Sequence, residues 1–81
     1  MITVYTTRYC PYCKAAKDLL RSKKVDFHEI DVSDDEEFDA LVQRTGWKTV
    51  PQIFIEERMI GGYQELASLE RKGQLDRLLK G

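Results

Sequence analysis

The sequence predicts an α/β domain in which a four-stranded mixed sheet is flanked by helices. Short β-rich runs alternate with runs of helical periodicity. The pattern of residues 2–32 predicts a strand, a helix and a second strand, and a hairpin pattern follows later in the chain. A strand–helix–strand unit with parallel strands is right-handed, and one mixed sheet covered by helices on both faces accommodates the later hairpin. The expected element order is βαβαββα, followed by a short C-terminal helix.

The first half of the chain supplies two strands and two helices. Ile2–Thr6 is short and β-rich, and Pro11–Lys23 has apolar residues at helical spacing with charged residues on the other side. Val25–Val32 indicates a second strand, and because its alternation is imperfect we expect both of its faces to be covered. Ser33 then opens a second helix with a capping-box pattern, and Gly46 ends that helix.

The second half contains the predicted hairpin. Gln52–Ile55 and Arg58–Ile60 are strand-like runs, and Glu56-Glu57 forms the turn between them. A helical run then ends at Gly73, and the leucines within Leu75–Leu79 indicate a last short helix.

Composition restricts the class of protein. A chain of 81 residues has no room for a second hydrophobic core, so we expect one domain, residues 1–81. The content of 42% hydrophobic and 33% charged residues is typical of globular proteins. The net charge of −1 argues against nucleic acid or an anionic membrane surface as partner, and no apolar run approaches the ~20 residues that span a bilayer. We expect a monomer that binds neither nucleic acid nor membrane.

The stretch Cys10-Pro11-Tyr12-Cys13 lies between the first predicted strand and the first predicted helix. Pro11 suits the first helical position, because its missing N–H needs no partner there. Cys10 then lies at the helix N-terminus, where unpaired N–H groups and the helix macrodipole stabilise a thiolate. Cys13 lies one turn further in, on the apolar side. We therefore expect Cys10 to be the more readily ionised, attacking sulfur and Cys13 to be the covered, resolving sulfur.

Other interpretations of these groups are weaker. A structural zinc site needs four ligands, and only His28 and a carboxylate could complete one, so we expect no metal and regard His28 as a surface strand residue. A structural disulfide across so short a loop would constrain the unfolded chain little. The acids of Asp34–Glu37 complement a helix dipole without any metal. The motif therefore indicates redox chemistry, and two cysteines in one motif fit a reducing compartment, the cytoplasm.

Four features of the chain together resemble the dithiol glutaredoxins of the thioredoxin superfamily: Cys10-Pro11-Tyr12-Cys13, Thr49-Val50-Pro51, Gly61-Gly62-Tyr63 and a length near one minimal domain. The resemblance implies a thioredoxin fold and a glutathione-dependent thiol–disulfide oxidoreductase, with Cys10 as nucleophile and Cys13 as resolving thiol. It also implies glutathione as reductant, no tightly bound cofactor, and disulfide-containing or glutathionylated proteins as partners. Ribonucleotide reductase is one such partner within the family.

A glutathione site is part of the same resemblance. Val50 would pair with the cysteinyl backbone of glutathione, Pro51 would be cis and face the cysteines, and the start of the third helix would receive the γ-glutamyl carboxylate. Glu65 matches the acid that meets the γ-glutamyl ammonium, although dipole complementation explains it equally well. Lys48 matches the base that pairs with the glycyl carboxylate. The implied set is Tyr12, Lys48, Thr49, Val50, Pro51, Gly62, Tyr63, Gln64 and Glu65.

Two positions depart from the family pattern. Thr7 stands where Lys or Arg is usual, three residues before the first cysteine, and Gln64-Glu65 replaces Asp-Asp or Ser/Thr-Asp. We expect Trp47 to pack over its loop and not to bind ligand. Two alternative functions stay open: a glutaredoxin-like redoxin reduced by thioredoxin reductase, and a carrier of a glutathione-ligated [2Fe–2S] cluster. The carrier branch of the family typically has C-G-F-S in place of C-P-Y-C.

Overall fold

The computed structural model describes residues 1–79, which form four strands and four helices. In chain order these are β1 (Ile2–Thr6), α1 (Pro11–Ser22), β2 (His28–Asp31), α2 (Asp35–Thr45), β3 (Gln52–Ile55), β4 (Arg58–Gly61), α3 (Tyr63–Arg71) and α4 (Leu75–Leu79). The sheet has the strand order β2-β1-β3-β4. β1 is parallel to β2 and antiparallel to β3, and β4 is antiparallel to β3. The predicted element order and mixed sheet are confirmed.

One face of the sheet packs against α1 and α3. Val4 of β1 and Ile53 of β3 are fully buried on this face, together with Leu20 of α1 and Leu66 of α3. Burying each such side chain stabilises the fold by roughly 1.5–3 kcal/mol. Because α1 and α3 also contact each other, they form one layer under the sheet.

The other face of the sheet is covered by α2. Side chains alternate along a strand, so Tyr5 points away from the Val4 side. The Tyr5 ring meets Phe54 edge to face at a centroid distance of 5.7 Å. The guanidinium of Arg44, near the end of α2, lies 5.8 Å from the Tyr5 ring centroid. Helices therefore flank both faces of the sheet, as predicted.

Two local predictions are wrong. β2 is shorter than Val25–Val32, and all of His28–Asp31 is exposed, because this strand lies at the sheet edge with β1 as its neighbour. The helix α2 is capped by Asp34, whose carboxylate accepts a backbone N–H of the first turn. Ser33 does not cap it, because its Oγ accepts the backbone N–H of Arg8 at 3.0 Å.

The helices are short and end close to the predicted positions. Gly46 terminates α2 in the left-handed conformation, with φ of 74°, and its N–H donates to the Val42 carbonyl at 2.7 Å. The longest helix, α1, has 12 residues. No helix within residues 1–79 has the length and apolar composition that crossing a membrane requires.

Candidate active site

Cys10 is the N-cap residue of α1, and Pro11 occupies the first helical position. The backbone of Cys10 is extended, with φ of −112° and ψ of 104°, so its side chain turns back over the first turn. Its Sγ accepts the backbone N–H of Cys13 at 3.1 Å. An N–H donor and the positive end of the macrodipole both favour an anionic sulfur at this place. Cys10 is partly exposed, so an incoming disulfide can reach it.

Cys13 lies one turn deeper and is only 1% exposed. Its pKa is raised from 9.0 to about 12, first by burial and then by the hydrogen bond to Cys10 and the charge of that neighbour. A backbone hydrogen bond at Thr7 and the ammonium of Lys17 act in the opposite direction. At neutral pH Cys13 therefore keeps its proton. The two sulfurs therefore differ in exposure, since Cys10 is partly exposed and Cys13 is buried.

The loop before β3 lies against the first cysteine. The Val50–Pro51 peptide bond is cis, as the resemblance implied, and Pro51 is buried. The Val50 carbonyl oxygen lies 3.5 Å from Cys10 Sγ. Two segments 40 positions apart in the chain are thus brought together at the reactive sulfur.

A groove of about 350 Å³ runs beside Cys10, between the start of α1, the loop before β3 and the start of α3. Tyr12 and Tyr63 form part of its wall, with ring centroids 6.2 Å apart. Eight of the nine predicted glutathione residues line it; the exception is Lys48, which is exposed. The lining residues are Tyr12, Trp47, Thr49, Val50, Pro51, Gly62, Tyr63, Gln64 and Glu65.

The N-terminus of α3 forms one end of the groove. Gly62 is the N-cap, and its N–H donates to Glu65 Oε1 at 2.9 Å. A Cβ at Gly62 would lie 3.3 Å from that oxygen and 3.4 Å from the Pro51 carbonyl oxygen, so this close approach favours glycine. The N–H of Gly62 is therefore satisfied internally. The backbone N–H groups of Tyr63 and Gln64, in the first turn of α3, have no intrahelical acceptor and can bind an anion.

The basic side chains near the motif have different surroundings. Lys48 is exposed beside the groove, and Thr7, at the usual basic position, is half-buried. The charge of Arg8 acts on Asp31 at the end of β2. The pKa of Asp31 is lowered first by hydrogen bonds from Ser33 and more weakly by that charge.

His28 lies exposed in the edge strand β2, where the sequence placed it. Within residues 1–79, no group of three or more His, Cys, Asp or Glu side chains is arranged to hold a metal ion.

Trp47 lines the groove although its sequence position did not indicate a binding role. We expected it to pack over its loop, whereas the structure places its indole in the groove wall. Its Cζ2 atom lies 3.9 Å from the position of a Cβ at Gly62. Its place two residues before Thr49-Val50-Pro51 was the one available indication.

Comparison with known proteins identifies the family. The glutaredoxin family model matches residues 2–60. The chain belongs to the glutaredoxin family. It is 49% identical over 79 residues to a glutaredoxin of Pseudomonas aeruginosa, covering 96% of this chain and 94% of that protein. It is 44% identical over 80 residues to glutaredoxin 3 of Escherichia coli, covering 98% and 96% respectively.

Structural comparison agrees with this identification. A crystal structure of a buckwheat glutaredoxin–glutathione complex is similar, with a TM-score of 0.88 and 30% identity, covering 98% of this chain and 76% of that one. The predicted thioredoxin fold is therefore confirmed. Membership of the family makes this glutaredoxin a thiol–disulfide oxidoreductase.

Proposed function

We propose that this glutaredoxin uses glutathione as its reductant, with Cys10 as the nucleophile and Cys13 as the resolving thiol. The observation that carries the proposal is the different environment of the two sulfurs. Cys10 Sγ is accessible and accepts an N–H at a helix start, whereas Cys13 is buried and protonated at neutral pH. Cys10 is then the sulfur that an incoming disulfide can reach at a helix N-terminus, a position that favours a thiolate.

The first route needs Cys10 alone. Its thiolate attacks the glutathione sulfur of a protein–glutathione mixed disulfide, which forms a Cys10–glutathione disulfide and releases the protein thiolate. A glutathione thiolate then attacks the glutathione sulfur bound to Cys10. Oxidised glutathione leaves, and the Cys10 thiolate is restored. The rate of each exchange depends on the attacking thiolate, the acidity of the leaving thiol and access.

The second route reduces a protein disulfide and requires Cys13. Cys10 attacks the disulfide, which forms a mixed disulfide and releases one protein thiolate. Cys13 then attacks Cys10 Sγ, which forms an intramolecular disulfide and releases the second protein thiolate. Two glutathione thiolates reduce this intramolecular disulfide in turn, and oxidised glutathione leaves. Cys13 must lose its proton for this step. Once Cys10 is in a mixed disulfide, its negative charge is gone and it is a weaker hydrogen-bond acceptor, so two causes of the raised Cys13 pKa are diminished. Burial, the largest cause, remains.

Glutathione fits the groove by its chemistry. The backbone of Val50 lies beside Cys10, where an extended cysteinyl residue would pair with it. The free N–H groups of Tyr63 and Gln64 would bind the γ-glutamyl carboxylate. One carboxylate oxygen of Glu65 accepts the backbone N–H of Gly62, and its other oxygen could accept a hydrogen bond from the γ-glutamyl ammonium. Similarity to a protein solved as a glutathione complex supports this assignment.

The same proposal covers the remaining contacts and partners. Tyr12 and Thr49 would flank the ligand, and the exposed Lys48 would attract the glycyl carboxylate from the rim. We propose that this one domain, residues 1–81, acts as a monomer on glutathionylated or disulfide-containing proteins in the cytoplasm, without a tightly bound cofactor. The pairing of both cysteines in one motif supports a reducing compartment.

The experiment is glutathione-dependent reduction of a small glutathione mixed disulfide by the wild type and two serine variants. Cys10→Ser should abolish turnover, because it removes the attacking sulfur. Cys13→Ser should retain turnover of the mixed disulfide and lose reduction of a protein disulfide. Turnover by Cys10→Ser would contradict the proposal. So would wild-type turnover with thioredoxin reductase and none with glutathione, the result expected of the alternative redoxin.

A further inference from the structure

The resolving step of the second route needs a Cys13 thiolate, although Cys13 is buried in α1. Placing a charge on a buried thiol is unfavourable unless a cation or a hydrogen-bond donor compensates for the lost water. Burial is the largest cause of the raised Cys13 pKa, and it remains when Cys10 is in a mixed disulfide. A compensating group near Cys13 would therefore help to set the rate of this step.

Lys17 lies one helical turn after Cys13 on α1. Residues four positions apart share a helix face, with their Cβ atoms about 5–6 Å apart. The Lys17 side chain is only 21% exposed, whereas that of Lys14 on the same helix is 78% exposed. The charge of the Lys17 ammonium acts on Cys13 and favours its thiolate. Lys17 is thus a partly buried cation on the helix face of the resolving sulfur.

The Lys17 ammonium is held at the end of β1. Its Nζ atom donates to Glu29 Oε2 at 2.8 Å, and the same oxygen accepts from Thr6 Oγ1 at 2.8 Å. Thr6 is the last residue of β1 and is buried. The backbone of the next residue, Thr7, makes a hydrogen bond that also favours the Cys13 thiolate. The carboxylate that holds the ammonium is therefore anchored next to the segment that contacts Cys13.

The other ionisable groups around this thiol belong to α1, β2 and α3. On α1, the charge of Cys10 opposes a second negative charge on Cys13, and this opposition ends once Cys10 is in a mixed disulfide. On β2, Glu29 offsets part of the Lys17 charge. α3 also packs against α1, and the acid of its first turn, Glu65, caps its own helix. In the mixed disulfide, Lys17 is the charged group that still favours the Cys13 thiolate.

We infer that Lys17 is a positioning residue for the second route, whose ammonium stabilises the Cys13 thiolate that attacks Cys10 Sγ. This inference rests on the proposed function and names the residue that allows the buried thiol to resolve the mixed disulfide. Cys13 gives its proton to water, and its electron pair forms the new bond to Cys10 Sγ. The substrate sulfur leaves as a thiolate with the electron pair of the broken disulfide bond. Lys17 acts on this step through its charge and exchanges no atom.

The experiment follows the two cysteines in turn with one equivalent of the chromogenic disulfide dithiobis(nitrobenzoate). Cys10 attacks the reagent and releases the first coloured thiolate, and Cys13 then attacks Cys10 Sγ and releases the second. Lys17→Met keeps an unbranched side chain and removes the ammonium. We expect it to slow the second release about three- to fivefold at neutral pH, because less Cys13 is ionised, and to change the first release less than about twofold.

Three further variants separate charge from packing. Lys17→Arg keeps the cation and should restore the second release to within about twofold of the wild type. Lys17→Gln keeps a hydrogen-bond donor for Glu29 without the charge, so it should be as slow as Lys17→Met and serves if that variant folds poorly. Lys14→Met is the matched control, because it removes an exposed lysine of α1 that pairs with Asp18 at 3.1 Å. It should leave both releases unchanged.

Two kinetic results would overturn the inference: an unchanged second release in both neutral variants of Lys17, or equal slowing by Lys17→Arg and Lys17→Met. A single release from the wild type would instead refute Cys13 as the resolving thiol, and with it the second route of the proposed function.

Alkylation of Cys13 provides an independent measurement. In Cys10→Ser, Cys13 is the single thiol of the chain, and iodoacetamide is an uncharged reagent. Adding Lys17→Met should slow its alkylation at about pH 8 by about three- to fivefold, because the thiolate is the reacting form. Loosened packing would expose Cys13 and give faster alkylation. An unchanged or faster rate would therefore contradict a role for the Lys17 charge.

Discussion

The backbone N–H of Cys13 donates to Cys10 Sγ at 3.1 Å, so the buried cysteine stabilises negative charge on its accessible neighbour. Burial first, and then the side-chain interaction with Cys10, raise the pKa of Cys13. Under the proposed mechanism, this one helical turn separates the sulfur that attacks from the sulfur that resolves.

Lys48→Ala should raise KM for glutathione mixed disulfides only about two- to fivefold at low salt, because an exposed rim charge contributes little and is screened. The difference should shrink at about 0.5 M salt. Steady-state kinetics at two salt concentrations measures both effects. Lys72→Ala, at the C-terminal end of α3, is the control and should leave KM unchanged. A large increase in KM that does not depend on the salt concentration would contradict the placement of Lys48 on the rim of the groove.

Gly61→Ala should destabilise the fold more than Gly73→Ala. Both glycines have positive φ, 122° and 71°, but a Cβ at Gly61 would lie 2.8 Å from Glu65 Cγ, whereas one at Gly73 meets nothing within 4 Å. We expect losses in the free energy of unfolding of about 2–4 kcal/mol for Gly61→Ala and about 1–2 kcal/mol for Gly73→Ala. Urea denaturation provides the comparison. Equal losses would show that contact with Glu65 has no energetic role.

The Glu29→Gln variant should be less stable than the wild type at neutral pH, whereas the two should be equally stable in acid. The Glu29 carboxylate accepts from Lys17 Nζ and from Thr6 Oγ1, each at 2.8 Å, and these bonds, that to Lys17 first, lower its pKa in the folded chain. A lowered folded-state pKa gives stability above the unfolded pKa, and this stability is lost as pH falls through the folded value. Urea unfolding at pH 7 and about pH 2.5 tests this. Glu57→Gln, in the exposed β3–β4 turn, is the control, and a deficit that persists in acid would contradict the prediction.

Much of the fold could be predicted because local patterns and overall topology agree. The apolar spacing of α1, the glycine after α2 and the hairpin around Glu56-Glu57 each indicate an element without reference to distant residues. The extent of β2 could not be predicted in this way. Periodicity in Val25–Val32 does not reveal that the strand lies at the sheet edge, because its position depends on how β1 and β3 pair.

The reactive part of the site was more predictable than its walls. Cys10 and Cys13 lie in one short motif, and helix geometry alone places one at the start and the other a turn inside. The groove joins residues from α1, the loop before β3 and α3. Trp47 carries no periodic pattern, and its place two residues before Thr49-Val50-Pro51 was the one indication in the sequence of the packing that brings it to Gly62.

The proposed ionisation difference between the two thiols is tested most directly by brief alkylation of the folded, reduced protein at about pH 5.5, followed by peptide mass spectrometry. We predict that Cys10 is labelled at least about tenfold faster than Cys13, and that unfolding in urea removes the difference. Equal labelling of the two thiols in the folded protein, or faster labelling of Cys13, would contradict the assignment of Cys10 as the nucleophile.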